Sequence, residues 1–245
     1  LTRSIDPHPF VLTAVSFALL LIIALLAATP SSPLEDVPDR RPIAGFLFAA
    51  LLLSGMGAAL WPQACSGPLH PSREAVRPRG SSLDADRGRT VSSVFGLRIV
   101  HGHHPSCQGF SRHEFQVGDR SFCVSCMGLL AGATLALAFT LGLFLSDWQL
   151  GEPELFLSLG IATVALGLLQ YVGLDDEPRL LRFSLNAFFV FGAFLVLASV
   201  ETLTESLAVD LLVVASSLVW LGARISLSRW RHDRICSACG FRCEG

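Results

Sequence analysis

The sequence predicts an all-α integral membrane protein with about six transmembrane helices and a small cytoplasmic Cys/His-rich hairpin. Three observations carry this. Of the 245 residues, 51% are hydrophobic and 16% charged, a balance that makes the bilayer the solvent for most of the chain. Six apolar runs are each long enough, at about 1.5 Å per helical residue, to cross a hydrocarbon core of about 30 Å. Six of the seven cysteines fall in two tight groups, Cys107, Cys123, Cys126 and Cys236, Cys239, Cys243. Such grouping favours metal or redox chemistry over scattered core thiols.

In order, the runs are Phe10 to Ala28, Ile43 to Trp61, Cys126 to Leu145, Leu155 to Val172, Phe183 to Val200, and Leu207 to Ile225. The first five carry no charge, and the sixth holds Asp210 near one end and Arg224 near the other. In lipid the backbone must satisfy its own polar groups, so hydropathy alone implies helices. Ala27, Ala28 and Thr29-Pro30 resemble a signal cleavage region. The run before them is longer than a usual signal core, however, and we expect a retained helix. The chain then divides into two N-terminal helices over 1–62, a flexible cytoplasmic linker over 63–100, and a Cys/His metal-binding segment over 101–128. A four-helix transmembrane bundle over 126–225 and a Cys-rich cytoplasmic tail over 226–245 complete it.

Arginine sets the orientation. All eighteen basic residues are Arg, and alternate sides of six helices hold sixteen and two of them. The minority pair, Arg40 and Arg41, sits beside Glu35, Asp36 and Asp39. This positive-inside bias puts both termini and the long loop in the cytoplasm, and the chain in the plasma membrane. Both cysteine groups then share one reducing compartment.

Within the long loop, Ser66 to Ser92 is rich in Arg, Pro, Gly and Ser and reads as linker. Its arginines serve topology. Without interleaved aromatics or a compact basic helix, nucleic acid is a poor partner for them. Further on, His113 to Val117 and Arg120 to Val124 flank Gly118-Asp119, which suits a two-residue hairpin turn. That turn pairs Val117 with Arg120 and Phe115 with Phe122, and brings His113 beside Val124 and near Cys123. Gly128 and Gly132 make a GxxxG where the next helix begins.

The loop offers His104, Cys107, His113, Cys123 and Cys126 as ligands, and the tail offers His232, Cys236, Cys239 and Cys243. A CxxC lets two thiolates approach one tetrahedral ion at about 2.3 Å. Thiolate and imidazole ligands in a reducing compartment favour Zn2+. Two partitions are open: separate loop and tail sites, or one site in which Cys123 and Cys126 join Cys236 and Cys239. His113-Glu114 lacks the second His of a metalloprotease helix, since position 117 is Val. Trp230, flanked by Arg229 and Arg231, is expected to anchor the last helix at the interface, its arginines reaching for head groups.

The run HHPSCQGFSRHEFQVGDRSFCVSCMGLLAG resembles the signature of a prokaryotic multi-pass membrane family, the domain of unknown function 2085. The resemblance implies His104, Cys107, His113, Cys123, Cys126 and Gly128 as matching positions, over about His101 to Leu145. Here the order is HHPSC and the CxxC encloses Val124 and Ser125, where the family has a Cys-His dipeptide and an Arg. It implies no activity.

The expected role is therefore a structural or regulatory zinc module, partnered by the lipid bilayer and by a cytoplasmic protein. Alternatives are a thiol oxidoreductase using Cys126, which lies near a helix N-terminus, or a tail cysteine, and a small-solute or metal-ion transporter. Gln170, Tyr171, Asn186 and Asp210 are the main polar residues in or near the spans, and transport requires polar residues such as Asn186, Gln170 and Asp210 to converge on one cavity. No enzymatic reaction follows from these residues.

Overall fold

The computed structural model describes residues 8–29, 39–60, 90–94, 97–101, 113–117, 120–145, 150–173 and 177–239. Among the described residues there are six helices: α1 His8–Ala28, α2 Arg40–Leu60, α3 Val124–Leu145, α4 Pro153–Gly173, α5 Arg179–Thr204 and α6 Leu207–Cys239. Each has the length and apolarity to cross a membrane, so the chain is a multi-pass membrane protein.

The sixth helix corrects the expected boundary at 225–226. Its 33 residues extend about 50 Å, well beyond a core of about 30 Å. Residues 226–239 contain neither Gly nor Pro, and Gly240 follows them. With no breaker, the backbone ladder simply continues past the apolar stretch, and the first part of the supposed tail is helix.

Helix α5 is the centre of the bundle, packed against α3, α4 and α6. From Gly192 to Glu201 every residue is buried, the pattern of a helix enclosed on all sides. Helix α1 lies along α6, where buried Trp220 donates its indole N–H to the Ser16 carbonyl at 3.3 Å. Helix α2 packs on α3. Large apolar side chains such as Leu21, Leu25, Phe46 and Leu180 face outward, as lipid contact requires.

The Gly128/Gly132 pair sets the α3–α5 approach. A Cβ at Gly128 would strike the carbonyl oxygen of Phe183, and one at Gly132 that of Ala187. Backbone cannot swing aside as a side chain can, so the helices meet this closely only because both positions lack a Cβ.

Two antiparallel ribbons precede α3. Strands β1 Thr90–Val94 and β2 Leu97–His101 pair Thr90 with His101, so paired backbone begins inside the stretch assigned to the linker. Strands β3 Glu114–Val117 and β4 Arg120–Cys123 pair Val117 with Arg120 and Phe115 with Phe122. That is the register of a two-residue turn. Beyond it the Val124 amide donates to the His113 carbonyl at 2.9 Å, tying the hairpin to the first residue of α3.

Gly132→Ala is expected to lose about 1–3 kcal/mol of stability to overpacking. Gly55→Ala, where an added Cβ meets nothing within 4 Å, is expected to be neutral or to gain up to about 1 kcal/mol of helix propensity. Thermal unfolding of the detergent-solubilised variants checks both.

Candidate functional site

Antiparallel neighbours bring parts of four helices and the hairpin together. At this end meet the start of α3, the C-terminus of α4, the start of α5 and the second half of α6. Their polar side chains form one knot.

Its hub is Asn186 on α5, which is fully buried. Its side-chain oxygen accepts Nε of Arg224 at 3.1 Å, Nη2 of Arg224 at 2.7 Å, and the Tyr171 hydroxyl at 3.1 Å. Its amide nitrogen donates to the Arg182 carbonyl at 2.7 Å and faces the Gln170 side-chain oxygen at 3.4 Å. The partners fix the orientation of the amide: reversing it would set NH2 against a guanidinium and oxygen against a carbonyl. Arg224 also lies over the Tyr171 ring, 5.6 Å from its centroid, a cation–π contact.

One turn along α5, Arg182 turns to the hairpin. Its Nη1 lies 2.5 and 2.6 Å from the two ring nitrogens of His113. A guanidinium can only donate, so the ring nitrogen it engages is an acceptor. The His113 ring sits 5.9 Å from that of His232 at 63°, edge to face. Loop and C-terminal helix therefore meet through their histidines.

Glu177, in the short connection between α4 and α5, faces two arginines. It lies 3.5 Å from Nε of Arg182 and 3.7 Å from Nη1 of Arg231, looser than the 2.7–2.9 Å of a tight charge-assisted pair. Burial pushes its carboxyl above the usual range, while Arg182 and Arg231 pull it back. Arg231 is itself buried and donates to the Gln170 carbonyl at 3.1 Å. This corrects the expectation that it reaches for head groups: Glu177 and a helix-end carbonyl hold it inside. Trp230 instead takes Phe10 edge-on at 5.3 Å and Arg234 over its face at 4.9 Å.

A second cluster closes the opposite end. Arg40 donates Nη2 to Glu201 Oε1 at 2.8 Å, Arg41 Nε lies 3.0 Å from the same oxygen, and Arg40 Nη1 is 3.9 Å from Asp210. Glu201 is 2% exposed and Asp210 0%, so Asp210 is enclosed and does not reach water. Two cations face two carboxylates, clasping α2 to α5 and α6.

Of the predicted ligands, His113 and Cys123 are buried, and Cys126 is half-buried in the first turn of α3. His232 is half-buried on α6. Helical spacing puts positions 232, 236 and 239 on one face of α6. The side chains of Cys236 and Cys239, and all of His104, Cys107 and Cys243, lie outside the described residues. Among the described residues no three His, Cys, Asp or Glu side chains gather closely enough to hold an ion. His113 in particular points its nitrogens at a cation. Cys123 lies within electrostatic reach of Arg182.

The chain matches no known family, no curated protein and no solved structure.

Sequence reading grouped Gln170, Tyr171, Asn186 and Asp210 as one polar set. The first three do meet; Asp210 belongs to the other end. Glu177, Arg182 and Arg224 were not recognised as site residues, although their places near helix ends on the arginine-rich side were readable.

Because the folded-state pKa of Glu177 is raised, the folded protein holds more protons than the unfolded chain between the two values. Its contribution to stability therefore falls as pH rises from the ordinary glutamate pKa through the raised one. Glu177→Gln removes that slope. The wild-type minus variant difference in Tm should decline with rising pH across this window. A difference that grew with pH would contradict the burial argument.

Proposed function

We propose that this multi-pass membrane protein is a structural or regulatory module of the plasma membrane. Its hairpin and the projecting end of α6 are clasped together on the cytoplasmic face, with zinc as the clamp. The observation that carries this reading is the His113–His232 contact, because it brings the two Cys/His segments to one place over the bundle. The arginine bias of the loops supports the cytoplasmic orientation.

The described geometry favours a shared thiolate site over two separate ones. His113 faces Arg182, and Cys123 and Cys126 are the thiols that the hairpin and the first turn of α3 contribute. Positions 236 and 239 share the α6 face of His232, within two turns beyond it. Cys123, Cys126, Cys236 and Cys239 are the ligand set we propose. Zinc there would supply cross-linking of loop to tail, closing a long chain segment that lacks a large core of its own.

Transport gains no support. Between the two polar clusters the α5 surroundings are apolar and closely packed, with Val164, Leu168, Phe189, Phe194 and Val196 buried. A thiol redox role would use Cys126, which is in no disulfide, or a tail cysteine.

Elemental analysis of purified full-length protein tests the proposal. Wild type should carry about one zinc per chain, lost entirely from both Cys123→Ser and Cys236→Ser but retained by His113→Gln. Retention of metal by either cysteine variant would refute the shared site. Folded wild-type protein that contains no metal and is indifferent to chelators would refute zinc altogether.

A further inference from the structure

Two arginines stand on the side of the membrane that the others avoid. In the orientation proposed above, Arg40 and Arg41 open α2 at the outer face, while the other sixteen basic residues lie inside. Basic residues beside a span favour the cytoplasmic side. Glu35, Asp36 and Asp39 stand beside the pair, but acids weigh little in setting topology. Taken alone, Arg40 and Arg41 therefore pull the α1–α2 pair towards the reverse orientation.

Their partners come from the far end of the chain. Arg40 donates to Glu201 Oε1 at 2.8 Å across 161 positions, and Arg41 Nε lies 3.0 Å from the same oxygen. Arg40 Nη1 is 3.9 Å from Asp210 on α6. Both carboxylates are buried, and losing the cations would leave them as uncompensated buried charges, a loss of several kcal/mol. The late acids thus need cations where topology alone would not put them.

Helix α6 grips the N-terminal pair at two further levels. Trp220 donates its indole N–H to the Ser16 carbonyl at 3.3 Å, and Trp230 takes Phe10 edge-on at 5.3 Å. These contacts run in opposite order along the two helices, which fixes α1 antiparallel to α6. Turning α1 and α2 end for end would break all of these contacts together and carry Arg40 and Arg41 away from Glu201 and Asp210.

We propose that α6, with Glu201 of α5, is a topological latch. It commits the α1–α2 pair to the direction seen in the structure against the pull of its own arginines, and it acts once the last helix has inserted. The latch rests on the orientation proposed above and is independent of zinc.

The test uses the full-length chain in its membrane, with a short protease-cleavage sequence inserted between Ser31 and Ser32 in the α1–α2 connection. Protease added to sealed spheroplasts cuts chains that hold this connection outside, and permeabilisation exposes the rest. Wild-type chains should be cut from outside. In Glu201→Gln/Asp210→Asn the ratio of shielded to cut chains should rise at least about tenfold, equivalent to about 1.4 kcal/mol. Adding Arg40→Gln and Arg41→Gln to that variant should bring the ratio back to near the wild-type value, because the outer cations that pull the pair over are gone. A bundle that merely misfolds would not be rescued by two more substitutions. Topology is scored in the membrane, so no variant has to survive purification. An unchanged ratio in the acid variant, or no recovery once the arginines are also replaced, overturns the latch. Wild-type chains shielded until permeabilisation would overturn the orientation itself, and the latch with it.

Discussion

One buried amide holds the hairpin end of this molecule together. Asn186 receives Arg224 from α6 and Tyr171 from α4 on its oxygen, and returns its N–H groups to α5 and Gln170. At a depth where water does not compete, each of these groups is costly to leave unpaired. The helices that bring them are therefore obliged to meet in one arrangement. Arg182, whose carbonyl takes the Asn186 amide, uses its guanidinium on His113, so the constraint passes from the bundle to the hairpin. His113 then touches His232 on α6, closing a circuit from α5 through hairpin to C-terminal helix and back.

Close packing and polar pairing divide the work. The middle of α5 is held by shape, through Gly160 on α4, where an added Cβ would strike the Gly192 carbonyl oxygen and Val196. Its two ends are held by charge and hydrogen bonds. The clusters differ in kind: Arg40 and Arg41 meet Glu201 and Asp210 charge to charge, while the hairpin end is organised around the neutral amide of Asn186.

The six spans were legible in the sequence because lipid leaves the backbone no choice but helix, and hydropathy reports lipid directly. The hairpin register was legible because Gly118-Asp119 permits so short a turn. The end of α6 was not, since hydropathy is silent about a helix that has left the membrane; only the lack of Gly or Pro before Gly240 hinted at it. The pairing of Arg40 with Glu201 is also invisible to periodicity, being a contact across 161 positions. Yet alternating topology does sort polar residues by depth. It places Gln170, Asn186 and Arg224 near one surface and Asp210 near the other. Glu177 is not legible as a site residue from sequence, because Arg231, one of the two arginines it faces, comes from a distant part of the chain.

Hydrogen exchange on the detergent-solubilised full-length protein, comparing wild type with Asn186→Ala, tests most directly whether this amide fastens the hairpin to the bundle. In wild type, peptides covering 113–124 and 224–235 should both be protected. In Asn186→Ala they should speed up together by at least about tenfold, equivalent to about 1.4 kcal/mol, with 40–48 and 201–210 unchanged. A hairpin that exchanges at the unfolded rate in wild type, or is as well protected in Asn186→Ala as in wild type, would contradict the account.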